Sequence, residues 1–163
     1  MTGQATSDRV RQSVTVPLKP ERAFELFVDE FGEWWPKQSH HVGERAAQTA
    51  IIEPREGGRW YERDDGGTEC EWGKVLAVDR PARILLAWHL SPSFAFDPDP
   101  ARATEVEVTF VAQGPDSTVV TLEHRGFGVH GEAAASMRDS VASEGGWADL
   151  LRLYAESAGS SHV

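Results

Sequence analysis

Residues 104–112, TEVEVTFVA, restrict what the chain can become more than any other stretch: Val106, Val108 and Phe110 share one face of an extended strand, and Glu105, Glu107 and Thr109 share the other. A strand of that kind belongs to a sheet that is dry on one side and wet on the other. Its neighbours follow the same rule. In TVVTLEH, Val120, Leu122 and His124 face one way and Thr121 and Glu123 the other; in TECEW, Cys70 and Trp72 oppose Glu69 and Glu71. ARILLAWHL is apolar in both phases, but Ile84, Leu86, Trp88 and Leu90 are the heavier set, which leaves His89 outward. RWYER does not decide between Trp60 and Tyr61. With SVTVPLKP near the start, strands are expected at about 9–17, 47–54, 57–63, 68–79, 82–91, 104–112 and 117–125. The intervening turns EGG, DDGG, DRPA and AQGPDS are short, so the sheet is read as an antiparallel meander.

A one-sided sheet needs a cover, and helical spacing supplies two. Pro20 suits a first helical turn, and Phe24, Phe27, Val28 and Phe31 then recur as one stripe. Gly32 is expected to divide this into two short helices, and Pro36 to end the second, because it disfavours helical geometry at Trp35. Trp34 and Trp35 are adjacent and diverge in any regular element, so only one can join the core in the ordinary way. Which of the two faces a pocket is left open. The second cover is a helix over about 132–158 with Trp147, Leu150, Leu151 and Tyr154 in line. Gly145 and Gly146 interrupt it at about 1 kcal/mol each, which marks a kink or a late start near Ser143.

Seven strands twist and curl, and one helix does not fill their concavity. A cavity is therefore expected, lined by Trp35, Trp72, Trp88, Val108, Phe110, Leu122, Trp147, Leu151 and Tyr154, with His124 as its main ionisable group. The rival reading is plain packing, since each buried aromatic ring is justified by stability alone.

Composition narrows the function classes. A formal net charge of −10 opposes binding to phosphate backbones, so no nucleic-acid partner is expected. No apolar run is long enough to cross a bilayer, and MTGQATSDRV lacks the features of a signal peptide, so the expected compartment is the cytoplasm without membrane insertion. The single cysteine, Cys70, reads as a small buried apolar residue. His40, His41 and Glu44 form an HHxxE cluster, but adjacent histidines in a loop diverge, so they are read as polar groups at a pocket rim rather than metal ligands. No GxSxG elbow or phosphate loop is present, and nothing calls for a metal or a cofactor. His124 is the one weak catalytic candidate.

The order of elements, and the segments VPLKPERAFELFVDEFGEWWP, EPREGGRWYE, WGKVLAVDRPARILLAWHL, TEVEVTFVAQGPDSTVVTLEHRGF and GGWADLLRLYAE, resemble the birch-pollen-allergen and lipid-transfer (START, or SRPBCC) superfamily. Within it the chain is most similar to the single-domain bacterial relatives of the activator of heat-shock-protein-90 ATPase. The resemblance implies an α+β helix-grip fold: a curved seven-stranded antiparallel sheet around a long C-terminal helix, with two short helices after the first strand. One domain is expected at 9–158, with loosely ordered tails at 1–8 and 159–163 read from their small, polar residues. Relatives include ligand carriers, cyclases and stress-related proteins. The co-chaperone that lends the family its name has an additional N-terminal domain, which this sequence is not expected to carry. The reading that follows is a monomeric or homodimeric binder of a small hydrophobic or aromatic molecule, more a carrier than an enzyme. Its alternatives are a cyclase or hydrolase using His124 as acid or base, and an interaction module anchored by an exposed Trp34 or Trp35.

Overall fold

A computed structural model describes residues 9–37, 39–43, 45–91, 95–142 and 146–162. Seven strands form one antiparallel sheet: β1 (Arg9–Val16), β2 (Ala47–Ile52), β3 (Arg59–Asp64), β4 (Glu69–Asp79), β5 (Arg83–Trp88), β6 (Thr104–Gly114) and β7 (Ser117–Arg125). Their order across the sheet is β1-β7-β6-β5-β4-β3-β2. The first two strands thus lie on opposite edges, and the helical connection between them must cross the concave face. Register shifts at Ala47/Thr49, Trp60/Tyr61, Val75/Ala77 and Ala112/Gly114 bend the strands, as bulges do.

That connection is α1 (Pro20–Phe24), a π-helical turn (Glu25–Asp29) and α2 (Phe31–Trp34). Pro20 stands at its first turn, as expected. The division falls at Glu30, where φ is −113° and ψ 31°, rather than at Gly32. Gly32 lies inside α2 for another reason: a Cβ there would stand 2.8 Å from the Ala50 carbonyl oxygen on β2. Its missing side chain lets α2 lie against the edge strand. Pro36 acts as expected, since Trp35 is extended at φ −70°, ψ 133°.

The second cover is broken in two. A 3-10 segment (Phe127–Ala133) leads into α3 (Ala134–Ala142), and α4 (Trp147–His162) follows, running past the end expected near 158. Gly145 and Ser143, where a kink or start was expected, lie outside the described residues, as do 1–8.

On β6 and β7 the dry face is the expected one: Val106, Val108, Phe110, Val120, Leu122 and His124 are buried. The opposite face carries an ionic lattice, in which the Arg125 guanidinium donates to Glu107 at 2.8 Å and Glu123 at 2.9 Å. Three expectations need correction or completion. Cys70 lies on the expected inner face, paired with Glu62 near the start of β4, but is only half-buried. His89 does lie on the outer face, yet it is buried, since the 95–103 loop folds over it and His89 Nδ1 pairs with the Asp97 carbonyl at 3.0 Å. Trp60 and Tyr61 are both buried. Trp60 meets Trp72 and Trp88 inside, and Tyr61 sits outside under the Arg59 guanidinium, 3.9 Å from its ring centre. No helix among the described residues is long and apolar enough to cross a membrane.

Candidate ligand-binding site

The adjacent tryptophans part at the end of α2. Trp34 turns into the core, against Phe27, Phe31 and Tyr154, and donates its N–H to the Phe27 carbonyl at 3.3 Å. Trp35, freed from helical geometry by Pro36, turns toward Trp72 and Trp147. Both are 5% exposed, so neither is available as a surface anchor for a partner protein.

Trp35, Trp72, Trp88 and Trp147 wall a cavity of about 310 Å³, together with Val42, Leu90, Val141 and Leu150. Ser39, His40, His41, Ser140 and Gly146 complete it. It lies where residues 39–42, the end of α3, the start of α4 and strands β4 and β5 meet. Three of the four indoles have their N–H groups taken: Trp35 donates to the His40 carbonyl at 2.8 Å, Trp72 to Glu62 Oε1 at 2.7 Å and Trp147 to His124 Nδ1 at 3.0 Å. Trp88 has no acceptor among the described residues. Apart from the Trp88 N–H the wall is therefore apolar, and the other polar groups stand on the side bearing the serines and histidines.

The remaining sequence candidates lie elsewhere. Val108, Phe110, Leu122, Leu151 and Tyr154 are buried in packed core and do not border this cavity. The middle of the concavity is filled by rings from the helical connection: Phe24 and Phe27 meet Phe110 at 5.2 and 5.9 Å, and Tyr154 donates its hydroxyl hydrogen to the Ala23 carbonyl at 2.7 Å. The hollow expected over Val108 and Phe110 is thus displaced to the end of the sheet.

His124 lies outside the cavity wall, with its ring 5.0 Å from Trp88 and 4.7 Å from Phe127. An indole N–H can only donate, so Nδ1 must accept from Trp147, and Nε2 carries the proton toward Thr104 Oγ1 at 2.7 Å. Burial, and secondarily the nearby His130, drives its pKa down to about 3. The neutral ring, with both nitrogens engaged, ties β6, β7 and α4 together. It has a measurable consequence. The unfolded ring protonates near pH 6.5, whereas the folded ring stays neutral to about pH 3. Between those values the unfolded state binds the extra proton, so stability is full above the upper value and falls as pH drops below it, at about 1.4 kcal/mol per pH unit. Urea titrations from about pH 7 to pH 5 should show this slope in the native protein and a shallower one in His124→Gln; identical slopes would refute the assignment.

Sequence reading passed over Glu62. It is 1% exposed on the inner face of β3, accepts from Trp72 Nε1, and holds the loop through Val42 N–H on Oε1 at 2.5 Å and Gly43 N–H on Oε2 at 3.1 Å. The signal was present: once Trp60 faces inward, period two places Glu62 there as well. Beyond it, His41 Nδ1 pairs with the Gly43 carbonyl at 2.8 Å and His40 Nδ1 with the Ser39 hydroxyl at 2.8 Å. Among the described residues no three His, Cys, Asp or Glu side chains come together as a metal site would require; Glu44 lies outside them.

With this geometry in hand, the family model described as Activator of Hsp90 ATPase homolog 1-like protein matches residues 17–155. The chain belongs to this family. Two solved structures of similar fold are close enough in sequence to be informative. An anthrahydroquino-γ-pyrone synthase is 34% identical, over 92% of this chain and 97% of its own, with a TM-score of 0.64. The self-sacrificing resistance protein CalC from Micromonospora echinospora is 30% identical, over 93% of this chain and 94% of its own, with a TM-score of 0.67. The Aha1 dimer from Colwellia psychrerythraea, at 14% identity, 92% and 95% coverage and a TM-score of 0.60, shares the fold alone. No curated protein matches the chain.

Proposed function

We propose that this member of the Hsp90-ATPase-activator-like family binds a small planar aromatic molecule in the four-tryptophan cavity. The observation that carries the reading is the wall itself: Trp72, Trp88 and Trp147 come from β4, β5 and α4, Trp35 directly follows α2, and the four leave about 310 Å³ between them. That volume is at the small end of ligand sites, enough for a compact fused ring system, and aromatic walls with a few polar groups at one side are the usual composition of such sites. The similarity to a synthase named for an anthrahydroquinone product supports the same ligand class. It also supports a catalytic version of the reading, but one that cannot run through His124, whose two nitrogens are occupied.

Titration with a fluorescent tricycle such as 1-aminoanthracene tests the proposal. The native protein should bind it with quenching of tryptophan emission, and Trp35→Ala should weaken binding at least tenfold, about 1.4 kcal/mol. Trp35 is the right position because its ring lies on the core's periphery, against Phe31, Trp72 and the cavity. A folded Trp35→Ala protein with native affinity would overturn the placement.

A further inference from the structure

We infer that His41 is the polar recognition residue of this cavity, and that the ligand it selects carries an acidic aromatic hydroxyl whose proton His41 Nε2 accepts. This rests on the reading of the cavity as an aromatic-ligand site and adds the chemistry of its polar side.

The inference starts from which groups remain available. Trp35, Trp72 and Trp147 have spent their N–H groups on protein acceptors, the Trp88 N–H can only donate, and His124 is sealed. His41 borders the same cavity and is half-buried. Its Nδ1 lies 2.8 Å from the Gly43 carbonyl oxygen. A carbonyl only accepts, so Nδ1 carries the hydrogen, and in the neutral ring Nε2 is left as the lone-pair nitrogen. No hydrogen-bond partner of Nε2 is found among the described residues. His40 is not equivalent: its Nδ1 faces a serine hydroxyl, which can donate or accept, so that contact does not assign its tautomer.

The tautomer at His41 is held from behind. Glu62 grips the amide hydrogens of Val42 and Gly43, and it is itself anchored by Trp72 in the cavity wall. Space around this turn is short: a Cβ on Gly43 would stand 3.1 Å from Cys70 Sγ and 3.4 Å from Glu62 Oε2. Glu62 is thus a positioning residue that acts through the loop. The arrangement is a fixed acceptor beside an apolar aromatic wall, which suits a flat ring with a hydroxyl at its edge. In the proton transfer, the ligand O–H bond breaks, its electron pair stays on oxygen and a new N–H bond forms at Nε2. The product is a phenolate facing an imidazolium, a charge-assisted pair strengthened by its half-buried setting.

Alizarin, a planar tricycle whose ionised form absorbs at longer wavelength, reads this step directly; its dimethyl ether has the same rings and no acidic hydrogen. With a chelator present and at a pH just below the dye's own ionisation, binding to the native protein should produce the phenolate band. Alizarin should bind about tenfold more tightly than the ether. In His41→Phe the band should vanish and the preference for alizarin over the ether should collapse to within about twofold. Equal affinity of the native protein for dye and ether overturns the inference without recourse to any variant. So does dye binding without the band, or a band that persists in a folded His41→Phe protein. Failure of both dyes to bind would instead remove the proposed function, and this inference with it.

Discussion

Trp147→Ala is expected to lower folding stability by about 3–5 kcal/mol, the range for removing a buried tryptophan. Trp147 is 2% exposed at the first position of α4, and its ring meets Trp88 at 5.7 Å and Trp35 at 6.1 Å. Its loss does more than open a space. The His124 Nδ1 lone pair, fully buried, loses its only donor among the described residues, and an unsatisfied buried acceptor costs a further amount of about 1–3 kcal/mol. Domains of this size are stable by about 5–15 kcal/mol, so the variant should sit near the threshold of folding. Trp147→Phe separates the two contributions, because it keeps an aromatic ring and removes only the N–H and some volume; it should fall clearly between alanine and the native protein. Urea denaturation read by linear extrapolation decides the matter. Equal losses in the two variants would mean that the ring is not the packing element described here.

Much of this architecture was legible because period two is a strong signal wherever one face of a strand is wet. Val106, Val108 and Phe110 against Glu105, Glu107 and Thr109 fixed the inside of the sheet. The pattern says which face is buried, not what covers it at each point along the strand. Phe24, Phe27 and Tyr154 reach the middle of the concavity from other elements, and nothing in β6 or β7 announces that Phe110 meets rings instead of a void. The cavity's actual place depends on where elements end, at Pro36, at the end of α3 and at the start of α4, and element ends are the part of a chain that periodicity describes least. Tyr61 and His89 show a second limit. Both lie on the outer face and are buried anyway, one by the apolar stem of an arginine and the other by a loop, so outward did not mean exposed.

Glu62→Leu should be the most damaging change that leaves the apolar core intact. A leucine of similar size fits an apolar surrounding, so the loss comes from donors left behind rather than from a hole. Trp72 Nε1 is buried and keeps no acceptor, while the amides of Val42 and Gly43 can recover water only if the 39–43 loop lifts. At about 1–3 kcal/mol for each donor that stays dry, a total near 3–5 kcal/mol is expected, with Glu62→Gln intermediate because its carbonyl still accepts. The loop carries Ser39, His40, His41 and Val42 into the cavity wall, so lifting it should also cost ligand affinity, beyond the change seen in global stability. Hydrogen exchange separates the local effect from the global one. In the leucine variant the Val42 and Gly43 amides should exchange much faster than core amides of β6 and β7, whose protection tracks global unfolding. Unchanged relative protection at those two amides would show that the loop is held by something other than the carboxylate, and the positioning of His41 would then need another cause.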